Sequence, residues 1–115
     1  MRGSNTNFKS DKYRKARGGY SRFLNIICEQ CDQRILIYQK DGPGILKRLY
    51  LDRIIAPDNL VNLQKVQINK VPNLECQKCK TVLGIPFMYK KERRDAFRLF
   101  AGAITKRTKT PRAER

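Results

Sequence analysis

Four cysteines stand in this 115-residue chain as two identical pairs, Cys28-Glu-Gln-Cys31 and Cys76-Gln-Lys-Cys79, with no fifth left over. A C-x-x-C turn aims two sulfurs at one point, and two such turns complete the four-sulfur shell of a structural Zn²⁺ site. The expectation is one shared zinc held by Cys28, Cys31, Cys76 and Cys79. Two disulfides would need an oxidising compartment, and no secretory segment directs the chain to one. A thioredoxin-like redox motif uses a single C-x-x-C opening a helix after a strand, not a matched pair. Iron also accepts four thiolates, but a redox carrier has little use for the charge described below, and colour would tell iron from zinc. A closed four-thiolate shell has no open coordination position, so its metal braces the chain and activates no water. So short a chain, 40% apolar, gains from such a brace. Metal binding contributes on the order of 10 kcal/mol of folding free energy in small zinc peptides.

Charge is the second constraint. Lys and Arg number 26 against 10 Asp and Glu, for a formal charge of +16. That surplus exceeds what solubility requires and repels itself in the compact state, which argues for a polyanionic partner. Nucleic acid fits best, because each neutralised phosphate also releases a condensed counterion. There is no His, which removes the usual general base near neutral pH, every Ser–His–Asp or Cys–His arrangement and every C2H2 finger. No enzyme activity is expected. No apolar run approaches the ~18 residues that span a bilayer, and neither a membrane nor a small-molecule substrate is expected as partner.

The surplus sits mostly in the flanks. Residues 1–22 read as a basic N-terminal arm whose Lys12, Arg14, Lys15, Arg17 and Arg22 are candidate phosphate contacts. Few aliphatic side chains and Gly18-Gly19 predict disorder there until a partner orders it. Phe8, Tyr13, Tyr20 and Phe23 interleave with these cations, and rings of this kind stack on unpaired bases; Phe23 is equally a packing residue. From 90 to 106, Ala96, Phe97, Phe100, Ala103 and Ile104 recur at spacings of three and four. That spacing predicts an amphipathic C-terminal helix with Arg93, Arg94 and Arg98 on its polar face. Lys106, Arg107, Lys109 and Arg112 continue into a basic tail over 107–115.

Residues 23–106 form the expected folded domain. Residues 34–40 are rich in β-branched and aromatic residues, Asp41-Gly-Pro-Gly44 makes a turn, and 45–55 returns as a second strand, or as a short helix carrying Leu46, Leu49, Tyr50 and Ile54. Lys47, Arg48 and Arg53 on this hairpin are either phosphate contacts or scattered solvated charges. A strand or two is expected within 59–71, and a short one over 81–85.

The two C-x-x-C knuckles, each followed by strand-like sequence, resemble the zinc-ribbon family. That resemblance implies two β-hairpins meeting at one metal, although 44 residues between the pairs, against the usual 15–20, imply an insertion. The expected fold class is a small α+β zinc-ribbon-like domain. Short antiparallel strands surround the four-cysteine site, with a C-terminal helix and disordered basic tails. At the level of architecture the chain is similar to small zinc-binding ribosomal proteins. The resemblance implies an RNA-binding structural component of a ribosome or other ribonucleoprotein. Its partners would be RNA, ribosomal RNA first, and neighbouring ribosomal proteins, in the cytoplasm or an organelle matrix. A DNA-binding or transcription-associated zinc ribbon is the alternative reading.

Overall fold

Each C-x-x-C pair sits at the turn of an antiparallel hairpin, and the rest of the architecture follows from how those hairpins are extended. The structure, a computed structural model, describes residues 8–108. Strand β1 (Ser21–Cys28) runs into the first knuckle and β2 (Arg34–Asp41) runs out of it. Their register sets Leu24 opposite Tyr38 and Ile26 opposite Leu36, so the apolar alternation of both strands falls on one face. Strand β5 (Leu74–Glu75) enters the second knuckle and β6 (Val82–Tyr89) leaves it.

Between the hairpins the chain forms β3 (Arg48–Tyr50), a 3-10 turn over Leu51–Arg53, and β4 (Ile54–Ala56). Helix α2 (Asp58–Val61) and two further 3-10 turns follow. After β6 come β7 (Arg94–Leu99) and β8 (Ile104–Thr108). Two four-stranded antiparallel sheets result, in the orders β4-β2-β1-β8 and β3-β7-β6-β5. Leu24, Ile26, Leu36 and Tyr38 from the first sheet and Leu49, Leu83 and Phe97 from the second share one core. Cys28 and Cys76 are buried in that same cluster.

The C-terminal helix expected over 90–106 does not form; the segment is β7, a turn and β8. Pairing overrides the helical spacing here, because Phe97 lies between Leu49 of β3 and Pro86 of β6, and both Ala96 and Phe97 are fully buried. Gly102, at φ +74°, turns the chain between the two strands, and no helix continues through that conformation. Pro86 is tolerated within β6 because β5 pairs only with its beginning, which leaves the far edge at Pro86 without a ladder to break.

The segment 59–71 is α2 and 3-10 turns rather than strand. The stretch 45–55 divides between sheets: β3 pairs with β7, and β4 returns to β2.

The N-terminal segment, expected to be loose, is bound to the domain from residue 9 onward. Asp11 caps a short helix, α1 (Lys12–Ala16), by accepting hydrogen bonds from the Tyr13 and Arg14 N–H groups. The Gln39 side-chain amide holds the Lys9 backbone through two hydrogen bonds, of 2.8 and 2.9 Å. Asp11 also reaches Arg53 at 2.7 Å. Low aliphatic content pointed to disorder, but here polar and aromatic contacts supply the ordering free energy that apolar burial usually provides.

Candidate metal centre and basic surface

The two knuckles are built alike, residue for residue. Cys28 N–H donates to the Gln33 carbonyl and Asp32 N–H to the Cys28 carbonyl, each at 2.8 Å. In the second, Cys76 N–H donates to the Thr81 carbonyl at 2.9 Å and Lys80 N–H to the Cys76 carbonyl at 2.8 Å. Both turns close through a left-handed residue just after the second cysteine, Asp32 at φ +66° and Lys80 at φ +67°. Backbone N–H groups of Gln33, Lys78, Cys79 and Thr81 consequently point at sulfurs, and the Thr81 hydroxyl lies 3.1 Å from Cys79 Sγ.

The knuckles bring all four sulfurs within 4.8 Å of one another. Cys28 Sγ and Cys79 Sγ are 3.7 Å apart, and Cys31 Sγ and Cys76 Sγ 3.5 Å. Zinc–sulfur bonds of about 2.3 Å arranged tetrahedrally place neighbouring sulfurs about 3.8 Å apart, so the observed edges fit a single ion. The thiols show what an ion would balance. Hydrogen bonds from Thr81 draw Cys79 down to about 6, and Cys76 also lies below the ordinary thiol value, where N–H donors outweigh burial. Cys31 moves the other way, to about 12: its Gln33 N–H bond is overcome by desolvation and the three neighbouring sulfurs. Four sulfurs this close cannot all be thiolates without a cation among them. The residues can therefore hold a metal ion.

The basic residues divide sharply. Arg94 is 5% exposed, its guanidinium sandwiched between the Tyr13 ring at 4.1 Å and the Tyr50 ring at 3.7 Å. It pairs with Asp52 at 2.7 Å and Glu92 at 3.3 Å. Arg17 bonds the Tyr50 hydroxyl at 3.2 Å and pairs with Glu92 at 3.0 Å. Glu92 lies below the ordinary carboxylate value, since the two arginines outweigh its burial. Arg14 donates to Ser21 Oγ at 2.7 Å and lies over the Phe8 ring. These three arginines serve the fold, and Arg94 is not free to meet a phosphate.

Lys12, Lys15, Arg93, Arg98, Lys106 and Arg107 are exposed, and Arg22 is half-buried. Of these, only Arg107 has a carboxylate partner among the described residues, an exposed contact with Asp32 at 3.3 Å. Lys109 and Arg112 lie outside the described residues.

Sequence reasoning left Arg53 among the surface charges; it is in fact 1% exposed and the largest fully buried side chain. Its Nε pairs with Asp41 at 2.9 Å and its Nη with Asp11 at 2.7 Å. The signal available in the sequence was its setting between Leu51 and Ile54-Ile55, an apolar run that a solvated arginine would interrupt.

The chain matches no protein-family model, no curated protein and no solved structure. No helix among the described residues is long and apolar enough to cross a membrane.

Proposed function

We propose that this chain is a structural zinc protein of the zinc-ribbon kind whose metal braces a two-sheet domain that binds RNA, as a component of a ribosome or another ribonucleoprotein. The observation that carries the reading is the joining of a closed four-cysteine cluster to an unbalanced cationic surface. The described carboxylates with ion pairs are spent largely on Arg17, Arg53 and Arg94, while Lys12, Lys15, Arg93, Arg98 and Lys106 have no such partner among the described residues. Zinc is favoured because four thiolates in a tetrahedron with no open position are its structural chemistry. The +16 chain has no other evident source of counter-charge than a polyanion.

The test is metal analysis of the full chain with titration of labelled RNA and DNA oligonucleotides over a salt series. The expected result is one zinc per chain, a steep loss of affinity with salt, and RNA bound more tightly than duplex DNA. Cys28→Ser should lose both the zinc and the folded signal. A colourless, zinc-free folded chain would refute the metal assignment, and absence of binding at low salt would refute the RNA assignment. Tighter binding to duplex DNA would transfer the reading to a DNA-binding zinc ribbon.

A further inference from the structure

One face of the second sheet carries a run of rings and cations that the N-terminal segment covers only in part. The register β3-β7-β6 places Arg48 beside Arg98, Tyr50 and Phe87 beside Ala96, and Tyr89 beside Arg94. Alternation therefore sets these side chains on one face. At the Tyr50–Arg94 end, Tyr13 and Arg17 close over that face. At the other end it lies open as a groove of about 910 Å³, walled by the loop before β3 and by the β7–β8 turn with the start of β8.

The chemistry of this groove is one-sided. Among the described residues it is lined by Lys47, Arg48, Arg98 and Lys106 and by no carboxylate. Between the cations stand the rings of Phe87 and Phe100, the latter 48% exposed at the β7–β8 turn. A third ring, Tyr89, is already occupied by the Arg48 guanidinium 3.9 Å above it. Arg48 is further held by its Nε bond to the Tyr50 hydroxyl at 3.0 Å, so the cation is fixed at the wall rather than free in solvent. Rings such as these, Phe100 exposed and Phe87 half-buried, flanked by cations and with no carboxylate among the described residues lining the groove, suit bases that stack while their phosphates meet Lys and Arg. A duplex offers no unstacked base to such rings.

We infer that this groove binds an unpaired nucleic-acid strand, with bases on Phe87 and Phe100 and backbone phosphates on Lys47, Arg98 and Lys106. The inference rests on the RNA-binding reading above and moves its centre from the flanking arms to the folded sheet.

The test uses the zinc-loaded full chain and a fluorescein-labelled 12-nucleotide oligouridylate, followed by anisotropy across a salt series. Phe100→Ala, at a largely exposed position, should weaken binding about tenfold, in line with the stacking lost per ring. It should leave the salt slope unchanged, because no phosphate contact is removed. Arg98→Ala with Lys106→Ala should reduce that slope by about 1.4, the contribution of two single-strand phosphates. Ultraviolet cross-linking of the oligouridylate should label peptides containing Phe87 or Phe100. A hairpin whose stem pairs uridine with adenosine should bind more weakly than the single strand. If the wild-type chain binds oligouridylate while Phe100→Ala binds equally well and cross-links lie elsewhere, the groove is overturned and the RNA-binding reading stands. If the wild-type chain binds no oligonucleotide at low salt, both are overturned. Phe87→Ala should weaken binding in the same way; should it fail to fold, Phe100→Ala and the paired cation variant decide the matter alone.

Discussion

Replacing Arg53 by Met tests most directly how this basic chain holds itself together. Arg53 is 1% exposed and lies against two carboxylates, Asp41 with a nearly buried side chain and Asp11 with a side chain 39% exposed. Met retains most of the apolar volume, so the experiment isolates the charge. Asp41 keeps two hydrogen bonds on Oδ1, from Ser21 at 2.8 Å and Gln39 at 2.9 Å, but Oδ2 loses its partner. An uncompensated charge left inside costs about 3–5 kcal/mol. A domain of this size has only about 5–15 kcal/mol in total. In urea, where ΔG falls by about 1–3 kcal/mol per molar, the unfolding midpoint of the zinc-loaded variant should drop by roughly 2 M. Asp11→Asn removes the outer partner while leaving the helix cap intact, and should cost only about 1 kcal/mol.

The pH dependence gives a second, independent check. In the wild-type chain burial pushes the Asp41 carboxyl up, but hydrogen bonds from Gln39, Ser21 and Arg53 hold it below the ordinary value. Its contribution is therefore present above the unfolded value, near 3.9, and is lost as pH falls through the lower folded one. In Arg53→Met burial prevails and the folded value rises above the unfolded one. The penalty is then greatest at neutral pH and is relieved as acid protonates Asp41. The stability gap between the two proteins should accordingly narrow between about pH 7.5 and about pH 4.5, with the metal's own pH dependence largely common to both. A loss below about 1 kcal/mol, or a gap of equal size at both pH values, would refute the reasoning.

Three further substitutions test the backbone. Lys80→Gly should stabilise the chain by about 0.5–1 kcal/mol in urea unfolding, because Lys80 closes the second knuckle at φ +67° and glycine bears no Cβ penalty there. Asp32→Gly should gain less, since Asp tolerates that conformation better; an equal or larger gain at Asp32 would contradict the account. Gly84→Ala should cost about 1–3 kcal/mol by the same measurement, because its Cβ would lie 2.8 Å from the Arg98 carbonyl oxygen across the β6–β7 ladder. A neutral effect would mean the two strands can separate freely at that point.

The local readings that survived are those tied to stereochemistry over a few residues. The cysteine pairs predict a four-sulfur cluster because a C-x-x-C turn has one compact geometry, and both turns adopt it. Residues 34–40 and 81–85 read as strands because β-branched and aromatic side chains crowd a helix more than a sheet, and strand covers the first stretch and all but the opening residue of the second. The misreading of 90–106 arose where two periods fit the same letters. Ala96, Phe97, Phe100, Ala103 and Ile104 satisfy a helical stripe, yet Leu49 and Pro86, far away in the chain, decide where Phe97 goes. The N-terminal segment concealed its order differently. Asp11 ahead of Lys12-Tyr13-Arg14 was a capping signal, but its second partner, Arg53, lies 42 residues away. Phe100 went unread as a binding residue because it was assigned to the apolar stripe of that helix.

Counting charge by composition treats every cation as available, and the structure shows why arginine breaks that rule here. A guanidinium can lie flat on a tyrosine and still offer its edge to two carboxylates, whereas an ammonium is a strongly hydrated point. Arg94 does this between Tyr13 and Tyr50, and Arg17 joins the same cluster through Glu92. Arg53 is drawn in by Asp41 and Asp11. These three arginines, reinforced by rings and carboxylates, fasten the N-terminal segment across the strands. The lysines stay outside with few exceptions: Lys12, Lys15, Lys47 and Lys106 are all exposed. The interior thus consumes carboxylates as well as arginines, leaving the outer surface poorer in negative charge than the overall composition conveys. The same pairing that occupies Arg94 therefore sharpens the positive character of the groove beside it, where Arg98 and Lys106 face no carboxylate among the described residues.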